Sequence, residues 1–258
     1  MRREKSNYII QAVGHALDVL EQFYVDGELG VTELSKRLAL HKNNVFRILA
    51  TLESRGYIEQ NKATENYRLD AKCVQLGQRY IKHLGFLRQA KPVMQEVVKA
   101  SRETVYITVM RHGRVVPVDV MEPEQPVRIV SQLGEMLPLH STAAGKIHLA
   151  FEIGEDFSRS VVDSLPVHTP RTITDPGTLK AELSEVIERG FALEDGEYLN
   201  DVSAVAAPIR DHTRTVVGSL AVSGPTYRTG AERLRGELVP LVVNAGKNLS
   251  GRLGLHNS

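Results

Sequence analysis

The segment from Val31 to Leu69 constrains the fold of this chain more than any other. Its apolar residues repeat at helical spacing in two stretches, which predicts a helix over 33–39, a short turn, and a longer helix over 42–55. Gly56 stands where a residue that ends a helix is expected. The pattern predicts a helix-turn-helix.

The second predicted helix has one apolar sector and one polar sector. Projected at 100° per residue, four apolar positions share a sector that must face a core: Val45, Ile48, Leu49 and Leu52. Asn43 and Arg47 lie about opposite, and Asn44 and Thr51 flank them. Since Asn can pair with adenine and Arg with guanine in the major groove, this helix is predicted to read DNA bases.

A small β-wing follows the helices. Residues 57–59 and 67–69 are predicted strands around a polar turn. Lys42 at the start of the long helix, Lys62 at the tip of the wing and Arg68 on the return strand are expected near phosphates. Thr32 is the expected N-cap of the first helix of the motif and is counted with the DNA-binding residues. An N-terminal arm is predicted from Arg2, Arg3 and Lys5.

Two other interpretations of this region stay open. A three-helix domain can carry a polar face that is simply solvated, and a winged helix can serve protein contacts. Five features together favour DNA binding over the first: helix length, a tight turn, a polar outer face, a glycine stop and a hairpin.

Charge and composition fit a DNA reader attached to another domain. The first 85 residues carry 13 basic and 10 acidic side chains, whereas the whole chain has a net charge of only +1. Cys73 is the only cysteine, which excludes an intramolecular disulfide and a multi-cysteine zinc site. The sequence shows no secretory signal and no apolar run long enough for a membrane span, so we expect a cytoplasmic protein.

The remainder of the chain predicts a linker helix over 73–85 and a second domain over 86–258. Strands and helices alternate there, which is typical of an α/β or α+β sensor domain. The expected strands cover 104–110, 115–121, 127–131, 202–209 and 216–222, and the expected helices cover 86–101, 142–151, 176–189 and 229–253.

The second domain offers no catalytic constellation. It lacks a P-loop, an HExxH pair and a GxSxG elbow, so no enzyme and no cofactor is expected. His140 and His148 lack an acidic residue at a spacing that would complete a metal set. Glu194, Asp195 and Glu197 form an acidic cluster that is either a solvated loop or a ligand or metal site.

Three segments of the second domain, behind the predicted winged helix, carry a resemblance to a known family. PLHSTAAGKIHLA at 138–150, GFALEDGEYLNDVSAVAAPIRD at 190–211 and VVGSLAVSGPTYR at 216–228 resemble effector-domain motifs of IclR-type transcriptional regulators. The resemblance covers the whole chain. It implies an α+β two-domain protein: a winged helix-turn-helix over 1–72, the linker helix, and a GAF-like α/β effector domain. It also implies a homodimer or dimer of dimers, a palindromic operator and, in the expected case, repression.

The resemblance further implies a pocket for a small-molecule effector, expected to be a carboxylate. The residues implied are Met136, Leu137, Ala143, Ala144, Asp195, Ala204, Ala221 and Ser223. Relatives often carry Cys at the position of Ala204, and some carry Ser at Ala221 and Glu at Gly196. Because each change removes a polar group, we hypothesise a bulkier or more apolar acid, a class that includes aromatic acids.

The operator sequence is not transferable from the family, because Asn43-Asn44 stands where Ser-Thr is common. Two alternative functions stay open. One is a metal-responsive regulator that uses Asp195, Glu197 and a histidine. The other is an enzyme or small-molecule carrier whose winged helix makes only protein contacts.

Overall fold

The structure, a computed structural model, describes residues 10–24, 26–83, 85–111, 113–153 and 165–255. The chain forms two compact units, one up to Leu84 and one from Gly85 onward. The arm predicted from Arg2, Arg3 and Lys5 lies outside the described residues. Among those residues, no helix is both long enough and apolar enough to cross a membrane.

The first unit is a helix-turn-helix followed by a two-stranded antiparallel hairpin, as predicted. The strands pair in the register Ile58↔Leu69 and Gln60↔Tyr67. In chain order the elements are α1 (Gln11–Glu21), a 3₁₀ turn (Gln22–Tyr24), α2 (Val31–Arg37), α3 (Lys42–Ser54), β1 (Ile58–Gln60), β2 (Tyr67–Leu69) and α4 (Ala71–His83).

The buried side of α1 differs from the predicted one. The three- and four-residue spacing of apolar residues predicts that Val13, Leu17 and Tyr24 share the buried side of this helix, but all three are exposed. Val19 is fully buried instead, together with Phe23. The helical face that packs in the core is therefore rotated toward Val19, and the 3₁₀ turn after α1 directs Phe23 inward.

The prediction that Thr32 caps α2 is wrong. The N-cap is Gly30, whose extended backbone precedes Val31 and whose carbonyl accepts a hydrogen bond from Leu34 N at 3.1 Å. Thr32 is exposed within the first turn of the helix. At the other end, α2 stops at Arg37, because Ala39 adopts a left-handed backbone with φ 51°.

Helix α3 has the predicted stop. Arg55 is its C-cap and Gly56 follows with φ +73°, a conformation that glycine adopts without steric cost. Tyr57 N then donates to Leu52 O at 3.0 Å, which completes a Schellman-type end. Lys72 Nζ donates to the free carbonyl of Arg55 at 2.7 Å. The path of the chain from α3 into the wing is thus fixed by backbone geometry.

The second unit is a five-stranded antiparallel sheet covered on both faces by helices. The strand order is β4-β3-β7-β6-β5. Its main elements are α5 (Leu87–Ser101), β3 (Thr104–Arg111), β4 (Arg114–Met121), α6 (Ala143–His148), α7 (Pro176–Arg189), β5 (Ala192–Asp195), β6 (Val202–Arg210), β7 (Val216–Pro225), α8 (Ala231–Arg233) and α9 (Val239–Arg252). This α/β domain is compatible with the GAF-like expectation.

The two faces of the sheet contact different helices. On one face, Tyr106, Ala204 and Ala221 join a buried apolar cluster with residues of α6 and α7. On the other face α9 crosses β6 so closely that a Cβ on Gly246 would lie 3.1 Å from the Cβ of Ala207. Small side chains on the sheet thus allow helices to approach both faces.

In the second unit one predicted strand is wrong, and one strand was not predicted. Residues 127–131 form no strand, because side chains bind their carbonyls: Arg228 donates to Val127 O and Thr104 donates to Ile129 O. Residues 192–195 do form an edge strand, although the sequence reading left them in a loop. Its residues alternate between buried and more exposed positions, but Glu194 and Asp195 at its end are of a type that is usually exposed, so the sequence pattern does not show this alternation.

The C-terminal helix begins later than predicted and is not regular. It opens at Ala231 and passes through a π-helical turn over Leu234–Leu238 before α9. Val239 N donates to Leu234 O, five residues back. Because Pro240 has no N–H to donate, a widened turn just before it costs no further hydrogen bond.

Candidate functional site

The outer face of α3 carries polar side chains that the rest of the first unit leaves free. Asn43, Asn44 and Arg47 are exposed, and the described residues provide none of their side chains with a hydrogen-bond or ionic partner. Val45, Leu49 and Leu52 anchor the opposite face in the core. The helix therefore presents an Asn/Arg surface on a rigid support, which is the arrangement that base reading in a major groove requires.

Thr51 and Phe46 change the details of this surface. Thr51 Oγ1 donates to Arg47 O at 2.7 Å, so its hydroxyl can offer DNA only an acceptor. Phe46 is 57% exposed beside Lys42 and Asn43. Its projected angle lies outside the apolar sector of the helix, which is the signal in the sequence that could have identified it. An exposed ring there can contact a thymine methyl group or a sugar.

The two wing cations differ in their surroundings. Lys62 is exposed at the tip, and no described residue pairs with it. Arg68 Nε contacts Glu59 Oε1 at 2.6 Å, and its Nη1 lies 3.7 Å from Glu28 Oε1. Glu28 is itself held by the amide of Asn61 at 2.8 Å. A phosphate would have to compete with two carboxylates for Arg68. For Lys62 it would meet no competing carboxylate among the described residues.

The second unit contains a small cavity between the sheet, α6 and the segment that connects β4 to α6. Its volume is about 80 Å³. The residues around it combine apolar, hydroxyl and carboxyl groups: Tyr106, Ile129, Val130, Ser131, Glu135, Leu137, Thr142, Glu194, Tyr198, Leu199, Val202 and Ser223. Apolar walls with a few converging polar groups are typical of small-molecule sites.

Residues 127–137 form the outer wall of this cavity and are called the lid segment below. Leu137 is buried and exchanges backbone hydrogen bonds with Val115, of which Leu137 N to Val115 O is 2.8 Å. Met136, by contrast, is 61% exposed and does not line the cavity. Of the two residues expected to cover the pocket, the structure thus places only Leu137 against it.

Glu194 is the most deeply buried acidic group of the cavity, with 3% of its surface exposed. Its carboxyl oxygens accept only two long hydrogen bonds, from Ala143 N and Tyr198 N, each at 3.3 Å. Burial, with a smaller contribution from the charge of Glu197, raises the pKa of Glu194 to about 8, although the amides of Ala143 and Tyr198 and the charge of Lys146 lower it. Glu194 is therefore largely protonated at neutral pH.

The other polar groups of the cavity are hydroxyls. Ser223 Oγ is buried and has no hydrogen-bond partner among the described residues. Burial, together with the charge of Glu194, raises the pKa of Tyr106, so its phenol stays neutral. None of the residues that line the cavity in the described part of the chain is a lysine, arginine or histidine. The site thus offers hydrogen bonds to a ligand but no positive charge.

The carboxylate implied by the resemblance, Asp195, does not line this cavity. Asp195 lies outside the cavity, because neighbouring residues of β5 point to opposite faces of the sheet. Its carboxylate binds Arg171 Nη1 at 3.0 Å and Ser203 Oγ at 3.1 Å. Glu194, the preceding residue of β5, lines the cavity instead. Strict alternation along 192–195 was the signal that could have identified it.

The four alanines implied by the resemblance adjoin the cavity without lining it. All are fully buried in the apolar cluster of the second unit: Ala143, Ala144, Ala204 and Ala221. Ser223, like Leu137, is a lining residue. The alanines therefore shape the wall behind the polar groups, and Ala143 also contributes its amide to Glu194.

A buried ion pair lies behind the cavity. Lys146 is 1% exposed, and its Nζ donates to Glu197 Oε1 at 2.6 Å and to Leu193 O at 3.0 Å. Glu197 is also buried, so the expectation of a solvated acidic loop is wrong for Glu194 and Glu197. Glu197 binds Lys146 and Asp195 binds Arg171, which leaves a metal ion little to gain. In the described portion of the chain, no cluster of histidine, cysteine and carboxylate side chains could hold one.

Comparisons with known families cover both units. Residues 78–251 match the family described as "Bacterial transcriptional regulator IclR C-terminal", and residues 12–62 match the "IclR helix-turn-helix domain". The HTH-type transcriptional regulator KdgR of Escherichia coli is 29% identical over 96% of this chain and 94% of its own. The HTH-type transcriptional repressor AllR of Escherichia coli is 28% identical over 95% of this chain and 91% of its own.

The fold also matches a solved structure over its full length. An IclR homolog from Microbacterium hydrocarbonoxydans, crystallised in complex with 4-hydroxybenzoate, superposes with a TM-score of 0.83. The match covers 95% of this chain and all of that chain at 23% sequence identity, so it supports the fold alone.

Proposed function

The chain belongs to the IclR family of bacterial transcriptional regulators, and we propose that it is a repressor that leaves its operator when a small organic acid binds. The observation that carries this proposal is the pairing of two features: an open Asn/Arg face on α3 and, in the second unit, a small cavity with apolar walls and a few polar groups. The family consists of regulators rather than enzymes, so the enzyme alternative is rejected.

On the DNA side, we propose that α3 lies in a major groove of double-stranded operator DNA. Asn43, Asn44 and Arg47 then face base edges, with Thr51 accepting a hydrogen bond. Lys42 and Lys62 contact phosphates, and Arg68 does so after exchanging its carboxylate partners. The exposed position of Thr32 in the first turn of α2 suits a hydroxyl contact to the backbone. Because the proposed target is chromosomal DNA, we propose that the protein acts in the cytoplasm.

We propose that a homodimer, or a dimer of dimers, binds a palindromic operator. The first unit leaves apolar side chains exposed on two helices. Ile10, Val13 and Leu17 share one face of α1 and are each more than half exposed, and Val74 and Leu76 are similarly exposed on α4. Apolar surface of this kind marks an interaction site, and a second copy that covers it would set the spacing of two half-sites.

On the effector side, we propose a compact carboxylic acid. The cavity volume of about 80 Å³ accommodates only a few non-hydrogen atoms when the lid segment is closed. The bulkier or aromatic acid hypothesised from the sequence would need the lid segment to move outward from the position it has in this structure. The 4-hydroxybenzoate bound to the homologue shows that an aromatic acid belongs among the compounds to be tested.

The proposal is tested by operator release. Native mass spectrometry of the purified protein identifies a bound ligand, and a gel shift with the DNA upstream of its own gene measures binding. We expect a specific shift that the released compound reverses in a dose-dependent manner. A protein that binds no segment of that DNA, with or without the compound, contradicts the proposal.

A further inference from the structure

The proposed effector is an anion, but no basic side chain among the described residues of the cavity could neutralise it. Its lining contains the two carboxyls Glu194 and Glu135 and, among the described residues, no basic side chain. An effector carboxylate that enters it would therefore meet an acid. At short range in a buried site, two like charges repel by several kcal/mol. Either the ligand or the protein has to carry a proton.

The groups that face Glu194 come from every element around it. Tyr106 on β3 is a neutral phenol, and Glu135 in the lid segment contributes a second acidic group. Lys146 on α6 is the nearest cation, but its ammonium is already bound by Glu197 Oε1 at 2.6 Å. The loop after β5 adds Glu197 itself and the amide of Tyr198. Among the described residues, Glu194 therefore faces no cation that is not already paired with another carboxylate.

The hydrogen bonds of Glu194 also leave it only weakly held as an anion. Two amide donors at 3.3 Å are at the long limit for a hydrogen bond to a charged group, which usually measures 2.7–2.9 Å. A carboxylate this buried normally has several short donors or an adjacent cation. Ser223 Oγ in the same cavity makes no hydrogen bond of good geometry with a described residue, and its neighbouring polar group is the phenol of Tyr106, whose pKa it lowers. Both features fit a protonated Glu194 carboxyl that can donate a hydrogen bond to an acceptor on a ligand.

We propose that the cavity binds an organic acid only when the Glu194 carboxyl carries a proton, so that Glu194 donates a hydrogen bond to the effector carboxylate. This inference rests on the effector site proposed above and specifies which class of ligand that site selects. Ser223 Oγ supplies a second donor to the same carboxylate. The site then takes a monocarboxylate together with one proton and disfavours a second negative charge.

Isothermal titration calorimetry between pH 6 and pH 9 tests the proposal on the full-length protein. The probes are acetate, pyruvate and 4-hydroxybenzoate, each compared with its neutral amide. Because burial raises the pKa of Glu194 to about 8, affinity for the acids should be flat below about pH 7 and fall by about tenfold per unit above pH 8. Titration in buffers of different ionisation enthalpy should show uptake of almost no proton at pH 6 and of nearly one at pH 9.

Two variants sharpen the test. In Glu194→Gln the amide donates at every pH, so the acids should bind with one affinity throughout and without proton uptake. Glu188→Gln, at an exposed carboxyl of α7 outside the cavity, is the matched control and should keep the pH dependence of the unmodified protein. The amides should show no fall in affinity above pH 8. The proton count in the unmodified protein needs no variant, so it stays decisive even if Glu194→Gln folds poorly.

The outcomes separate the two levels of the proposal. Binding of any probe acid with the same affinity from pH 6 to pH 9, or without proton uptake at pH 9, rejects the role of Glu194 and leaves the effector site standing. Failure of all three acids to bind at pH 6 rejects both the effector site and this inference. Tighter binding of the corresponding dicarboxylates, such as malonate over acetate, also contradicts it.

Discussion

The protein carries two sets of polar groups in opposite states. On α3, Asn43 and Arg47 stand in water, and the described residues of the first unit provide them with no partner. In the second unit, Glu194, Lys146 and Glu197 are removed from water and depend on one another. The first set contributes little to folding and exchanges water for DNA. The second set carries a desolvation cost that the fold must offset before any ligand arrives.

This difference separates the measurements that each set should affect. Substitutions on α3 should alter DNA affinity and leave the free energy of unfolding nearly unchanged, because exposed side chains add little to stability. Substitutions around Lys146 and Glu194 should alter the free energy of unfolding, and its pH dependence, even when no ligand is present. Each prediction below checks one side of that contrast.

The largest effect is expected at the buried ion pair. Lys146→Met leaves the carboxylate of Glu197 buried without its cation, and Glu197 Oε2 already lacks a partner among the described residues. Breaking such a pair costs about 3–5 kcal/mol. Urea unfolding should show this loss, whereas Lys180→Met, at an exposed lysine of the same unit, should change stability by less than about 0.5 kcal/mol.

A second substitution distinguishes lost charge pairing from lost packing. In the double variant Lys146→Met/Glu197→Leu both charges are gone, and apolar replacements of buried pairs are often close to neutral. Most of the lost free energy should therefore return. A single Lys146→Met variant as stable as the unmodified protein would show that the pair is not buried in solution.

The next effect concerns the pH dependence of stability. The folded protein holds the pKa of Glu194 at about 8 against an ordinary value of 4.5, so between these values the folded state binds more protons than the unfolded state. Stability should therefore fall as pH rises through this window and level off above pH 8. At 1.36 kcal/mol per pKa unit, the upper bound of the loss is about 5 kcal/mol.

Glu194→Gln should remove this loss. Its free energy of unfolding should match that of the unmodified protein near pH 5 and exceed it by a few kcal/mol at pH 9, as measured by urea titration at each pH. Glu188→Gln, at an exposed position of α7, is the control and should leave the curve unchanged. Parallel pH profiles for Glu194→Gln and the unmodified protein would mean that Glu194 ionises normally.

The same contrast explains which features the sequence could predict. Helix α3 was predictable because one surface is apolar and the other polar over 13 residues, so periodicity and the Gly56 stop agree. The wing followed from alternation around a polar turn. In α1 the periodicity indicated a helix but not its orientation, since Val13 and Leu17 are apolar and exposed. Surface apolar groups cannot be told from core ones by spacing alone.

The cavity could be predicted only in part because burial overrides residue type. From its residue type, Glu194 would be expected in solvent. Only the alternation of side chains along the four-residue edge strand indicates that Glu194 points inward and Asp195 outward. The lid segment reads as a strand at 127–131, but Arg228 and Thr104 bind its carbonyls from positions distant in sequence. Long-range side-chain contacts of this kind leave no local pattern.

On the exposed side of the comparison, Arg47 should matter most. Arg47→Ala should weaken operator binding by about 1–3 kcal/mol and relax specificity at one base pair. Fluorescence anisotropy with a set of single-base operator variants measures both effects, and the urea midpoint of the protein should not move. An equal loss of affinity for every DNA sequence would remove Arg47 from base reading and leave it a phosphate contact.

The smallest effects separate the two wing cations. Lys62→Ala should weaken binding to all sequences alike and reduce the slope of log affinity against log salt by about one. Arg68→Ala should change that slope less, because Arg68 is held by Glu59 at 2.6 Å and a phosphate must first displace that carboxylate. Anisotropy titrations from 50 to 200 mM salt measure both slopes. If Arg68→Ala reduces the slope more than Lys62→Ala does, the ion pair opens on DNA, and Arg68 is the main phosphate contact of the wing.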